Sequence, residues 1–210
     1  MKTSVVLFDL DGTMVNSLPF IIDTYKLVFD KLNLPWADGE VVRWIGRPLK
    51  EIAGYFAGER EEEFLKSYEY YYNLDFEQNI SLFPGTLEML DRLREKGMRL
   101  GIVTSKGRGG TERTVKAAGL DRYMEVIVTA QDVSIHKPFP EPVLEALRLL
   151  GALPQQAIYV GDSFLDVEAG KKAGVTTLAV TWGITAKEEL AGLVPDGLLD
   201  SWTELEKFVV

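Results

Sequence analysis

Two aspartates, Asp9 and Asp11, stand two residues apart in the stretch Phe8-Asp9-Leu10-Asp11-Gly12-Thr13, directly after the apolar run Val5–Phe8. Two carboxylates about 5 Å apart repel by roughly 3 kcal/mol at an effective dielectric near 20. A fold has no need of that repulsion, so the pair points to a cation between them. Three further clusters carry matching chemistry: Thr104-Ser105-Lys106, His136-Lys137-Pro138, and Gly161-Asp162-Ser163-Phe164-Leu165-Asp166. Carboxylate oxygens suit the hard divalent cation Mg2+. A lysine and a hydroxyl can hold the remaining oxygens of a phosphoryl group. One aspartate can attack phosphorus and form an aspartyl-phosphate. A second can give a proton to the leaving oxygen and later take one from water. The leading pair therefore reads as nucleophile plus acid/base.

The elements that must position these groups are visible as apolar runs. Val5–Phe8, Leu100–Val103, Val126–Val128, Ala157–Val160 and Val175–Val180 read as strands, and each of the last four follows a helical segment. Continuous apolar strands spaced by helices indicate an α/β fold, a Rossmann-like, mostly parallel sheet covered on both faces. Each chemical cluster is expected at or just after a strand end, the edge where such sheets bind ligands. Leu87, Leu90 and Leu93 share a helix face ahead of Gly97. Val143, Leu144, Leu147 and Leu150 share another ahead of Gly151, and Gly174 ends a third helix that starts near Ser163.

One interval breaks the alternation. Between Val15 and Leu82 the pattern is helical, with Leu18, Ile21, Ile22, Tyr25, Phe29 and Leu32 on one face. Phe64, Leu65, Tyr68, Tyr71 and Tyr72 form another. The interval is too long for an ordinary connection. The expectation is a small helical domain, residues 15–81, inserted after the first strand of a core made of 1–14 and 82–210. The chain returns to the core at Phe83-Pro84-Gly85, and the tyrosine-rich stretch is expected to be core of the insertion.

Composition narrows the function. The chain has 210 residues, 23 basic and 32 acidic, for a formal net charge of −9. That balance disfavours nucleic acid. It also repels anionic substrates at long range, so local cations and a metal must capture them. There is no cysteine, which excludes disulfides, thiolate metal sites and thiol nucleophiles. No apolar run reaches the length of a membrane span, and the four-residue run near the start is short for a signal peptide. The expectation is a cytoplasmic monomer or homodimer acting on a small phosphate ester.

The four clusters, in this order, resemble the phosphatase branch of the haloacid dehalogenase superfamily. The matching residues are Asp9 to Thr13, then Thr104, Lys137, and Gly161 to Asp166. Lys137 to Pro142, Lys-Pro-Phe-Pro-Glu-Pro, resembles a run found in phosphoglycolate phosphatases and related pyrophosphatases. The resemblance implies Asp9 as nucleophile and Mg2+ ligand, and Asp11 as general acid/base with its backbone carbonyl on the metal. Asp162 is implied as a further ligand, and Asp166 as holder of a metal-bound water or orienter of Lys137. Thr104, Lys137 and the backbone amides near Leu10 and Ser105 would bind the phosphoryl group, with Gly12 allowing the turn beneath it. It further implies that the helical insertion is a cap. There, Trp44-Ile45-Gly46-Arg47-Pro48-Leu49-Lys50 resembles the specificity loop. Arg47, or less directly Lys50, would read the leaving group, and Gly46 would permit close approach.

Two positions depart from the pattern: Asn16 stands where many relatives have aspartate, and Ser105 where many phosphoglycolate phosphatases have asparagine. His136 reads as structural or solvent-facing. Gly107-Arg108-Gly109-Gly110 lacks phosphate-loop spacing and reads as a turn before a helix. A phosphoglycolate-type phosphatase is the first functional expectation, with a pyrophosphatase or a β-phosphoglucomutase-like enzyme as alternatives. A non-catalytic phosphate-binding module would be expected to lack Asp9 or Asp11, and a halide-removing enzyme would not need Asp11 or the fourth cluster.

Overall fold

The computed structural model describes residues 3–209, the Glu77 side chain excepted. Six strands form one sheet: β1 (Val5–Phe8), β2 (Arg99–Val103), β3 (Val126–Val128), β4 (Ala157–Gly161), β5 (Thr176–Val180) and β6 (Gly197–Leu199). Their spatial order is β3-β2-β1-β4-β5-β6, and every pairing is parallel. The sheet has one strand more than the apolar runs indicate. β6 is three residues long and begins with glycine, too short to carry a pattern.

Alternation along β1 divides the core into two layers. Val6 and Phe8 point to one side and pack with Met89, Leu90 and Leu93 of α4 (Thr86–Glu95) and Val115 of α5 (Arg108–Ala117). Val5 and Leu7 point to the other and pack with Val143, Ala146 and Leu147 of α6 (Glu141–Leu150) and Ala169 and Ala173 of α7 (Phe164–Ala173). Each fully buried side chain of this size contributes about 1.5–3 kcal/mol relative to exposure. On α6 the buried face is Val143, Ala146, Leu147 and Leu150, and Leu144 is exposed. Helical geometry turns the residue after Val143 out of the stripe, which corrects the expected face.

The register brings the chemical clusters together. Phe8 is level with Ile102 on one side and Val160 on the other. The next residues of the three adjacent strands lead into Asp9, Thr104 and Asp162. The chain runs outward from β1 to β3 and then crosses back to β4, so β1 lies at the reversal of strand order, where such sheets form a crevice. Lys137 differs from expectation. It does not follow a strand directly, because residues 129–136 lie between β3 and it.

The interval between β1 and α4 holds α1 (Leu18–Lys31), α2 (Leu49–Ala57) and α3 (Glu61–Leu74), with short 3-10 turns between and after them. These helices enclose their own core. Phe29 is its hub, with ring centroids 5.4 Å from Trp36, 5.5 Å from Phe56 and 5.9 Å from Phe64. The tyrosines belong mostly to this core, as the sequence implied. The chain enters and leaves the block side by side: Asn16 N–H donates to Ser81 O at 2.8 Å and Phe83 N–H to Met14 O at 3.0 Å. Among the described residues, no helix is long and apolar enough to cross a membrane. Because Phe29 is buried against three rings, Phe29→Ala is expected to cost about 3–5 kcal/mol, read as a lower midpoint in urea denaturation.

Candidate active site

Asp9 follows β1 and is tied to the sheet by its N–H, which donates to Val160 O at 2.8 Å. Its carboxylate is met from the side by Lys137, whose Nζ lies 2.9 Å from Asp9 Oδ1 and 2.7 Å from Asp166 Oδ1. Lys137 is 3% exposed, so this ammonium is shared by two carboxylates away from water. Tyr159 OH also donates to Asp166 Oδ1, at 2.7 Å, and the N–H and hydroxyl of Ser163 donate to Asp166 Oδ2. Asp166 is thus fully engaged in orienting Lys137 and capping α7. Burial works against its charge, but Lys137 foremost, then Ser163 and Tyr159, hold it below the usual carboxylate range.

Asp162 follows β4. Thr13 Oγ1 donates to its Oδ1 at 2.9 Å, and Ile184 N–H donates to its Oδ2 at 2.8 Å. Trp182 Nε1 in turn donates to Thr13 O at 3.1 Å. Two glycines make room for this carboxylate. A Cβ on Gly12 would lie 2.4 Å from Asp162 Oδ2, and one on Gly183 would lie 2.1 Å from Asp162 Cβ. Gly12 also has φ +86, a conformation glycine adopts freely.

Asp9, Asp162 and Asp166 each bring a carboxylate oxygen within 4.8 Å of the others. When all are ionised, three carboxylates and one ammonium leave two negative charges in a buried space. The consequence shows in their acidity. Burial pushes the Asp9 carboxyl well up, with Lys137 opposing and Asp166 and Asp162 adding to it. Burial, then the charge of Asp166, pushes Asp162 up to about 7. A divalent cation cancels the excess and restores both carboxylates. All-oxygen donors with room kept by two glycines fit Mg2+. Asp11 can add a carbonyl, since no described backbone N–H donates to it.

Above this floor lies a cavity of about 400 Å3 between the sheet edge and the helical block. Asp9, Asp11, Thr104 and Ser105 line it, and Lys137, Asp162 and Asp166 are buried beneath its floor. No described backbone acceptor takes the N–H of Leu10 or Ser105, so both can serve a ligand oxygen. Gly46 and Arg47 line the opposite wall. Gly46, at φ +99, brings its loop down on the fourth cluster, where a Cβ would lie 3.0 Å from Leu165 Cδ1. Arg47 sits 4.9 Å over the Trp44 ring and 3.9 Å from Glu51. Lys50 is exposed and does not line the cavity.

The structure adds residues that the motifs did not mark. Lys106 Nζ reaches both Asp11 oxygens, at 3.1 Å each, and the Tyr72 hydroxyl at 2.7 Å. Ser17 Oγ donates to Asp11 Oδ1 at 2.6 Å. Lys106 was visible as the last residue of its cluster. Tyr72 and Ser17 carry no local signal of a role. His136 is half-buried, and its side chain takes no part in the site.

Residues 6–180 match the haloacid dehalogenase-like hydrolase family. Pyrophosphatase PpaX of Bacillus cereus (strain AH820) is 34% identical over 206 residues, covering 98% of this chain and 95% of that protein. The crystal structure of a predicted phosphoglycolate phosphatase from Haemophilus somnus 129PT superposes with a TM-score of 0.89 at 26% identity, covering 100% of this chain and 99% of the other. CbbY from Rhodobacter sphaeroides, solved in complex with phosphate, gives 0.83 at 26% identity over 97% of this chain and 96% of its own. The match runs through β1 to β5 and all four chemical clusters: the chain belongs to the haloacid dehalogenase-like hydrolase family, and it is a phosphatase.

Proposed function

We propose that this phosphatase hydrolyses a small phosphorylated metabolite with Mg2+, through an aspartyl-phosphate on Asp9. The observation that carries the reading is the Lys137–Asp9 contact: it pins Asp9 Oδ1 at 2.9 Å and leaves Oδ2 without a hydrogen-bond partner among the described residues, on a side chain that lines the cavity. Asp9 Oδ2 attacks phosphorus while the bond from phosphorus to the leaving oxygen breaks. Asp11 gives its proton to that oxygen. Water then attacks the phosphoenzyme, Asp11 takes a proton from it, and the Asp9–phosphorus bond breaks, which regenerates the carboxylate. The Thr104 hydroxyl, the N–H groups of Leu10 and Ser105, and the buried Lys137 ammonium hold the phosphoryl oxygens. Asp9, Asp162 and the Asp11 carbonyl are the groups that would hold Mg2+, which when bound neutralises charge on those oxygens.

Residues 15–81 act as a cap in this reading. They close the cavity against water, and Arg47 contacts the leaving group. The exposed position of Lys50 favours Arg47 over it. A phosphoglycolate-type monoester is the first substrate assignment, supported by the fold of the Haemophilus neighbour. Pyrophosphate is the second, supported by the PpaX relatives and by the Lys137 to Pro142 run. A cytoplasmic location accords with the cysteine-free composition.

Asp9→Asn is expected to abolish turnover of p-nitrophenyl phosphate with Mg2+; full activity in that variant would overturn the covalent mechanism. A phosphate-release screen of phosphoglycolate, pyrophosphate and hexose phosphates, with and without EDTA, separates the substrate assignments. Arg47→Ala is expected to raise KM about tenfold, or ~1.4 kcal/mol, for the best substrate of that screen. An unchanged KM for every good substrate rejects the contact.

The metal site has a pH signature. Asp162 is pushed up to about 7 in the folded chain, above its ordinary unfolded value, so the folded state binds the extra proton. In EDTA the stability from this group is present at low pH and is lost as pH rises from about 4 to about 7. Cation binding needs the ionised form. The rise in thermal midpoint on adding Mg2+ is therefore expected to be larger at about pH 8 than at about pH 5, and Asp162→Asn is expected to remove most of it.

A further inference from the structure

Among the described residues, four cations line the cavity: Arg47, Lys106, Arg108 and Arg113. Three have partners away from the reacting atoms. Arg47 lies over Trp44, Arg108 binds Asp132, and Arg113 binds Asn73 and lies over Phe76. Lys106 is different. Its ammonium is 3.1 Å from each Asp11 oxygen, and both side chains are only 14% exposed. The same ammonium reaches across to Tyr72 on α3, in the helical block. With Ser17 on Oδ1, both oxygens of the proton-moving carboxylate are taken. In this arrangement Asp11 has no free oxygen directed at a leaving group.

A largely buried ammonium does not release one anion without gaining another, because an unpaired buried charge is strongly unfavourable. We propose that Lys106 exchanges partners during turnover. A leaving group that carries its own negative charge, a carboxylate or a phosphate, takes the place of Asp11 beside the ammonium and frees Asp11 to protonate the leaving oxygen. The proton comes to Asp11 from solvent. It passes to the leaving oxygen as that oxygen's bond to phosphorus breaks and the Asp9–phosphorus bond forms. Esters with neutral leaving groups bind the phosphoryl site but leave Lys106 on Asp11. The enzyme then selects anionic leaving groups through the chemical step as well as through binding. Tyr72 keeps the ammonium within reach of both partners while the exchange occurs. The net charge of −9 makes such a local cation necessary for an anionic substrate.

This inference rests on the phosphatase reading of the Asp9 site. The test compares 2-phosphoglycolate with 2-hydroxyethyl phosphate, a pair of similar size that differs in the charge of the leaving group. The ratio of their kcat/KM values is measured for the wild type, Lys106→Met, Lys106→Gln and Lys106→Arg, with circular dichroism to confirm folding. The ratio is expected to favour phosphoglycolate in the wild type and to fall at least about tenfold in the methionine and glutamine variants, with part of the loss in kcat. Lys106→Arg, which keeps the charge, is expected to retain most of the preference. A ratio that stays constant while both esters slow together overturns the exchange and leaves Lys106 structural. A ratio that falls through KM alone, with kcat unchanged, also overturns it and makes Lys106 a binding group only. Asp9→Asn serves as the control: if it still hydrolyses both esters, the phosphatase site itself is misassigned, whereas an inactive Asp9→Asn together with an unaltered ratio in the Lys106→Met and Lys106→Gln variants rejects the exchange alone.

Discussion

The ammonium of Lys137, shared between Asp9 and Asp166, is the contact on which the site depends. It places a positive charge where two carboxylates would otherwise face each other without water. Neither partner is expendable: removing one side of a buried ion pair costs about 3–5 kcal/mol because the remaining charge is stranded. The same contact fixes the direction of the Asp9 carboxylate. One Asp9 oxygen is held by the lysine, and the side chain lines the cavity. The supports lie one layer further out, where Tyr159 and Ser163 hold Asp166, which holds Lys137. A loop lysine acquires the precision of a strand residue in this way, although residues 129–136 separate it from β3.

The charge distribution also explains why a strongly acidic chain can act on anions. With its three carboxylates ionised the buried floor would carry an excess of two negative charges, which a divalent cation would neutralise. Around the rim the arginines and Lys106 present positive charge toward the same space. Long-range repulsion from the whole molecule is screened by salt within about 8–10 Å. Contacts inside the cavity are shorter than that and less screened. Capture of an anion therefore depends on these short contacts rather than on the long-range field.

Much of this was legible in the sequence because the relevant signals are local. β1 and β4 are apolar runs, and Asp9 and Asp162 follow them within two residues. The helical interval announced itself by its period, and Phe29, Phe64 and Tyr72 are buried in its core. What escaped is non-local or belongs to the backbone. The Lys106–Asp11 contact joins residues 95 apart in sequence. Tyr72 serves packing with its ring and the site with its hydroxyl, and only the first role has a periodicity. Ile184 holds Asp162 through its N–H, a group every residue but proline owns, so no side-chain pattern marks it. Lys137 was singled out by its motif but placed too near a strand, because the length of the loop before it cannot be inferred from the motif alone.

The neck between Asn16–Ser81 and Met14–Phe83 has an evolutionary consequence. Both crossings of the chain into the helical block occur at one place, paired to each other. The sheet would close over the same residues whatever lay beyond that neck. Substitution, enlargement or exchange of the block therefore does not require the reaction chemistry to be reinvented. If residues 15–81 act as the proposed cap, a lineage built on this plan changes its diet by altering the inserted cassette while the hydrolytic engine beneath it stays in register.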